Sequence, residues 1–358
     1  MSSLSLCAVG DISLNGIYHR RKPGQAAPWS TVEELYRPAD LRLGNLESPL
    51  TSQPRCSSTK FALRSAADAG ALLVGTEFDL LNVANNHAMD FGPAGLLETL
   101  EQLDRLGRLH VGGGDCLEAA RRPCFTTRGD QRLGLVSFCD VFQTSPLYAG
   151  PNSPGVSPLD DSACELVGQL QGEADWLIVQ LHWGTEMSRL PSPEQRQMAR
   201  RLVDAGADLI IGHHPHVLQP LEIIDQVPVW YSLGNFSFSS EMWRGQKPCG
   251  ERFVGDYHLH PLARIGGVAV NVLDRNQPPA SRLTCTTLRP DGRIVNADAE
   301  THAEWVTLCD QMQASDYDDH WEQEQERAVE RRQWQTRPSS LGRKIRMRAF
   351  QFGLAGPA

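Results

Sequence analysis

Several absences narrow what this chain of 358 residues can be. No apolar run approaches the ~20 residues that cross a bilayer as a helix, so a membrane-spanning protein is not expected. Nine cysteines form an odd set without a CxxC pair, and Cys7, Cys139 and Cys285 sit in strand-like apolar runs where free cysteine acts as a small hydrophobe. This excludes a disulfide-stapled miniprotein and favours a reducing compartment. Basic excess is missing as well: 34 Lys and Arg face 43 Asp and Glu, leaving a formal charge of −9 and no surface-wide attraction to nucleic acid. Any anionic partner must be held by local charge. There is no internal repeat, no low-complexity tract, no GxSxG and no loop cysteine with a plausible histidine partner, so nothing points to a protein nucleophile. The N-terminal MSSLSLCAVGDISLNG has no basic n-region and its apolar run is broken by Asp11, so no signal peptide is read there and a cytoplasmic protein is expected.

What remains is ordinary globular composition, 41% hydrophobic and 22% charged, with length for one large α/β domain and a tail. Short β-rich runs (5–9, 40–43, 80–84, 133–139, 176–181, 209–211 and 227–232) alternate with helical periodicity, which predicts an α/β fold. Helices are expected over 93–106, with Leu96, Leu97, Leu100 and Leu103 on one face, and over 193–205, with Met198, Leu202 and Val203 inward. From about residue 301 the composition turns charged and Gln-rich. We read 1–300 as the catalytic domain and 301–358 as a charged helical tail, its stretch 321–334 exposed and 341–352 basic.

Chemistry-bearing residues gather just after strands, where open α/β sheets place their ligands. The densest group is GHHPH at 212–216, in which two imidazoles at i and i+2 can face one cation. His182 follows WLIVQL, Asn86 and His87 follow LLNVA, Asp11 follows CAVG, and Glu47 follows RLGNL. A carboxamide, imidazoles and carboxylates together suit Mn, Fe, Zn or Mg. Each residue also has a plainer reading. Asp11 and Asn86 would serve as caps or turn formers, His214 and His216 as loop hydrogen-bonders, Asp90 as a helix cap, Asn235 as part of a Gly-Asn turn, and Trp183 as packing.

Six stretches, AVGDISLNG, LGNLESPLT, NVANNHAMDFG, LHWGTE, GADLIIGHHPHVLQPLE and YSLGNFSFS, occur in order over about residues 5 to 240 and resemble the CapA family, named for poly-γ-glutamate capsule biosynthesis. The resemblance implies a four-layer α/β/β/α sandwich of the calcineurin-like metallophosphoesterase type, with one or two divalent metal ions at a sheet edge. Asp11 and His216 would hold the first metal, Glu47 would bridge, and Asn86, His182 and His214 would hold the second. His87 would donate the proton to the leaving group, with Asp90 orienting it. Asn85, Glu186, His213 and Asn235 are expected around this set as substrate or supporting residues. Two departures stand out: Ser13 replaces the histidine of the usual Asp-x-His, and Glu47 in NLE replaces an aspartate.

The expected activity is metal-dependent hydrolysis of a phosphate ester. The alternatives are work on γ-glutamyl amides of a capsule polymer, or a non-catalytic metal-containing subunit. The expected partner is an anionic small molecule or polymer, drawn in by basic clusters at 19–22 and at Arg55 and Lys60. The basic stretch 341–352 is a candidate for peripheral membrane contact.

Overall fold

The computed structural model describes residues 3–20, 26–54, 62–65, 67–74, 78–141, 147–246 and 252–335. The basic residues Arg21, Lys22, Arg55 and Lys60, the side chains of His19 and Arg20, and the stretch 341–352 lie outside what is described.

Two sheets face each other. The first runs in the order Ile294–Asn296, Ala280–Leu288, Ile265–Leu273, Leu4–Ile12, Leu41–Leu46, Leu80–Asn82 and Leu109–Val111, with Asn235–Ser237 pairing beside the end of Leu4–Ile12. The second runs Leu221–Ile224, Val227–Trp230, Leu209–His213, Trp176–His182, Gln131–Cys139 and Cys124–Arg128. Parallel pairing dominates both centres: Leu4–Ile12 with Leu41–Leu46, and Trp176–His182 with its two neighbours. Antiparallel strands close both edges of the second sheet and the Ile294–Asn296 edge of the first, whereas Leu109–Val111 pairs parallel at the other.

Period-two alternation builds the layers. Along the first strand, Leu6 and Ala8 point between the sheets to meet Leu135, Ile178, Leu209 and Ile211. Cys7 and Val9 point outward, against Trp29, Tyr36, Leu73 and Leu103. In the second sheet Val136, Phe138, Val179 and Ile210 turn out toward Val167, Leu170, Ala199 and Leu202 of the helices Asp161–Leu170 and Pro193–Asp204. Both faces of both sheets are therefore buried, which is why the strands read as continuous apolar runs. Each fully buried Leu or Ile contributes roughly 1.5–3 kcal/mol. The result is the expected α/β/β/α sandwich.

Local chemistry explains the helix boundaries. Ser192 accepts from Gln195 N at 3.2 Å, Gln195 returns a bond to Ser192 N at 3.0 Å, and Pro193 fills the first helical position. The helix Gly92–Arg105 buries Leu96 and Leu103 and half-buries Leu100, but Leu97 is 39% exposed, so the predicted four-leucine face is narrower. The geometric reason is the 100° step between Leu96 and Leu97.

The tail also differs from expectation, since Glu324 and Ala328 in the stretch 321–334, expected to be exposed, are buried. Asp298 caps the helix Ala299–Gln311 by accepting from Thr301 N at 2.9 Å, and Trp305 stacks on Trp230 at 6.0 Å. In the helix Tyr317–Gln335, Tyr317, Glu324, Ala328 and Gln335 are buried along one face. Glu324 and Gln335 are polar, so hydropathy misses the face; their hydrogen bonds to the loop 187–189, and that of Glu324 to Arg331, make the burial possible. No helix among the described residues is long and apolar enough to cross a membrane.

Candidate metal centre

The carboxyl ends of the parallel strands converge on a buried polar cluster. Asp11 is the penultimate residue of its strand, His182 and His213 end theirs in paired register, and Glu47 follows Leu46 directly. Asp11, Glu47, Asn86 and His182 are fully buried, and His87, Asp90, His214 and His216 nearly so. Three groups place their donor atoms within 4.8 Å of one another: Asp11, Glu47 and His216; Glu47, His182 and His214; and Glu186, His214 and His216. Glu47, His214 and His216 are each shared between two groups, so the whole is one continuous site.

Orientation is set by neighbours. His216 Nδ1 lies 3.0 Å from Asn235 Oδ1 and 3.2 Å from Asp11 Oδ2, which makes Nδ1 the proton-bearing nitrogen and leaves Nε2 facing Glu47 Oε1 at 3.6 Å. Asn235 is itself fixed by donating to the Ala263 carbonyl at 2.9 Å, and it pairs in register with Asp11. Asn86 Oδ1 meets His182 Nε2 at 3.0 Å. His87 Nδ1 lies 2.7 Å from Asp90 Oδ2, and its Nε2 lies 3.9 Å from Glu47 Oε1. Asp90 also accepts from Leu63 N at 2.8 Å, and the helix after it is capped by Phe91 without a side-chain bond, so Asp90 does not cap that helix. Two residues of the GHHPH loop occupy the left-handed region, His214 at φ 99° and His216 at 58°. Such strain, of order 1–3 kcal/mol, persists where surrounding contacts over-determine it.

Electrostatics follow from burial. Burial works against the charged form of Asp11, but the imidazoles of His213 and His216 hold its carboxyl well below the usual range. Burial lowers His182 well below the ordinary imidazole value and His214 to about 3, so both are neutral imidazoles at pH 7, the form a cation requires. For His216 burial is overridden by Glu47 and Asp11, which push it up to about 10.

The remaining expected residues play distinct parts. Asn85 donates to the Leu46 carbonyl at 2.9 Å and accepts from His87 N at 3.1 Å, so it shapes the turn. His213 Nδ1 stands 3.5 Å from Asp11 Oδ1. Trp183 packs: it is fully buried, stacks on Tyr231 at 5.7 Å and donates to the Tyr231 carbonyl at 3.0 Å. Ser13 is buried beside the site, and its hydroxyl has no hydrogen-bond partner among the described residues.

Two residues were missed in the sequence. Asn45 donates to Asp11 Oδ1 at 2.8 Å and lies 3.3 Å from His182 Nδ1, linking the carboxylate and imidazole ends of the cluster. Its signal was its place two residues before Glu47, on the same face of an extended chain. Tyr257 lies beyond the recognisable motifs; burial and the carboxylates of Glu186 and Glu47 push its hydroxyl well up, so it stays protonated. No local pattern marks it.

The donor chemistry fits a divalent cation. Carboxylates, imidazoles and a carboxamide oxygen are the ligand types of Mn, Fe, Zn and Mg sites. His214 Nδ1 is buried with no hydrogen-bond partner among the described residues, and coordination would satisfy it.

Comparison with known proteins bears on the same residues. Residues 5–240 match the family model described as bacterial capsule synthesis protein PGA_cap. The chain is 35% identical over 262 residues to the PGA biosynthesis protein CapA of Bacillus subtilis, covering 72% of this chain and 68% of that one. It is 27% identical over 324 residues to the capsule biosynthesis protein CapA of Bacillus anthracis, covering 87% and 77%. A probable polyglutamine synthesis accessory protein of Mycobacterium tuberculosis is 31% identical over 280 residues, covering 75% and 70%. Among solved structures, a phosphatase of Mycoplasma pneumoniae aligns at 13% identity and a TM-score of 0.49, covering 86% of this chain and 99% of that one.

Proposed function

The chain belongs to the bacterial capsule synthesis protein family PGA_cap, and on that premise we propose that it is a metal-dependent hydrolase that cleaves a phosphate ester with water. The observation that carries this reading is the pairing of His87 with buried Asp90, 2.7 Å apart, beside a Glu47 carboxylate shared by two donor groups. The pairing supports the reading because hydrolysis of a poor leaving group requires a proton donor beside the cation site.

Asp11, Glu47 and His216 would hold one ion, and Asn86, His182, His214 and the shared Glu47 a second. When bound, such ions supply positive charge to phosphoryl oxygens and acidify water. The protein's own groups do the rest. Asp90 fixes the His87 ring through Nδ1, so that Nε2 would be the nitrogen that passes a proton to the leaving oxygen. Asn45 and Asn235 hold Asp11 and His216 in their rotamers.

The relatives' names favour a second reading, that the same site acts on the γ-glutamyl amides of a capsule polymer. The unpartnered Ser13 hydroxyl beside Asp11 favours a third, a metal-containing subunit without turnover. The deciding experiment is hydrolysis of a nitrophenyl phosphodiester and phosphomonoester by the purified protein with manganese, comparing wild type with His214→Ala and His87→Ala. Metal-dependent turnover lost in both variants is the expected result. Cleavage of a γ-glutamyl peptide alone would transfer the assignment to amides, and metal uptake without either activity would leave the subunit reading.

A further inference from the structure

In the group formed by Glu186, His214 and His216, only Glu186 has no place in the six-ligand set above. The group's donor atoms nonetheless lie within 4.8 Å of one another, as close as those of the other two groups. Asp11, Glu47 and His216 supply three protein donors at one end of the site, one fewer than a closed, four-ligand zinc site has, so a further protein donor can be accommodated there. Ser13, two residues after Asp11, brings only a neutral hydroxyl.

The loop that carries Glu186 is built for fixed placement. Gly184 sits at φ +87°, and a Cβ there would meet the Gln195 side chain at 2.6 Å. Met187 is fully buried at φ 66°, a strained value for a side chain of this size, and its amide donates to the Pro215 carbonyl at 2.8 Å. The Glu186 loop is thereby tied to the very loop that bears His214 and His216.

The helix Tyr317–Gln335 completes the restraint. Arg331 donates to the Met187 carbonyl at 3.0 Å and pairs with buried Glu324, whose carboxylate accepts from Arg189 N at 2.7 Å. Gln325 donates to Ser188 Oγ at 3.1 Å, and Gln335 Nε2 lies 3.2 Å from Met187 Sδ. Contacts thus fall on Met187, Ser188 and Arg189, the three residues following Glu186. A buried Glu–Arg pair at a cost in desolvation is accounted for if its task is to hold a loop in one position.

Resting on the metal reading above, we infer that Glu186 is a further metal-ligating carboxylate at the His214–His216 edge of the centre, and that the helix Tyr317–Gln335 is the brace that positions it. A third carboxylate in the site lowers the net charge presented to substrate and favours a hard cation. Glu186 would thus tune which ion is retained, and the charged tail has a role inside the site's architecture.

The test is manganese titration by calorimetry of full-length wild type, Glu186→Gln, Arg331→Ala, Gln325→Ala, the Glu186→Gln/Arg331→Ala pair and His214→Ala. Glu186→Gln should weaken affinity at least tenfold with the circular dichroism spectrum unchanged, and Glu186→Asp should recover part of it. Arg331→Ala should weaken it less, and the double variant should be no weaker than Glu186→Gln alone, because the brace acts only through that carboxylate. If Arg331→Ala does not fold, Gln325→Ala carries the same prediction with a smaller effect. Wild-type affinity in Glu186→Gln beside a loss in His214→Ala overturns this inference and leaves the metal centre standing. No uptake of manganese or zinc by the wild type removes both.

Discussion

His87 and Asp90 form a close side-chain pair in the site: Nδ1 to Oδ2 is 2.7 Å, with the carboxylate buried and anchored to Leu63 N. The three-residue spacing puts both on one turn, so no long-range packing is needed to bring them together. Replacing His87 by Asn should lower kcat on a phosphate ester by about 10²–10⁴, the range for a lost general acid. Asp90→Asn should cost about 10–100-fold in kcat with KM and bound metal unchanged. Equal loss of metal in both variants would show that the pair is structural and would sink the proton-donor role.

Asn45 ties Asp11 to His182 from a third strand. Removing its amide in Asn45→Ala should reduce manganese affinity about 10–100-fold, since unsupported ligands reorient freely. Calorimetric titration reads this directly, and an affinity equal to wild type would mean that the strand framework alone suffices.

Gly10 precedes Asp11 where two chains nearly touch: a Cβ would come 2.0 Å from the Gly234 carbonyl oxygen, which accepts from Asp11 N at 2.9 Å. Backbone cannot yield as a side chain tip does. Gly10→Ala should destabilise the fold by about 3 kcal/mol and impair metal binding, whereas Gly129→Ala, with open space around it, should leave metal binding unaltered. Denaturant midpoints and titrations on both variants check the contrast.

Asp298 caps the helix Ala299–Gln311, and its hydrogen bonds from Thr301 hold the carboxyl below its ordinary value. A depressed folded value means that the contribution is present above the unfolded carboxylate pKa of about 3.9 and is lost as pH falls through the folded one. Asp298→Ala should therefore lower Tm at pH 7, with the difference from wild type shrinking below about pH 3.9. Asp298→Asn, also a good cap, should keep most of the stability at both pH values. A Tm difference that does not change with pH would remove the ionised carboxylate from the account.

Much of the architecture was legible because the signals are local. Apolar runs at 133–139 and 176–181 match the strands Gln131–Cys139 and Trp176–His182, and the Pro193 helix carries its own capping box. The antiparallel strands Ile265–Leu273 and Ala280–Leu288 were missed because Gly, Asn, Arg and Thr dilute their alternation. In the site, GHHPH declared itself by composition. Asn45 and Tyr257 did not, since each is one polar residue whose meaning depends on a neighbour far along the chain.

By itself the sequence determined which residue types stand at the strand ends: Asp11, Glu47, Asn86, His182, His214 and His216 follow apolar runs, and that order needs only pattern and periodicity. Only the tertiary structure decided how they are shared and supported. It made Glu47 common to two donor groups, turned His216 Nδ1 toward Asn235, and laid the polar face of Tyr317–Gln335 against the Glu186 loop. The physical reason is separation along the chain. Periodicity records which face of an element is buried, whereas a hydrogen bond between residues more than a hundred positions apart exists only once packing has brought the two elements together.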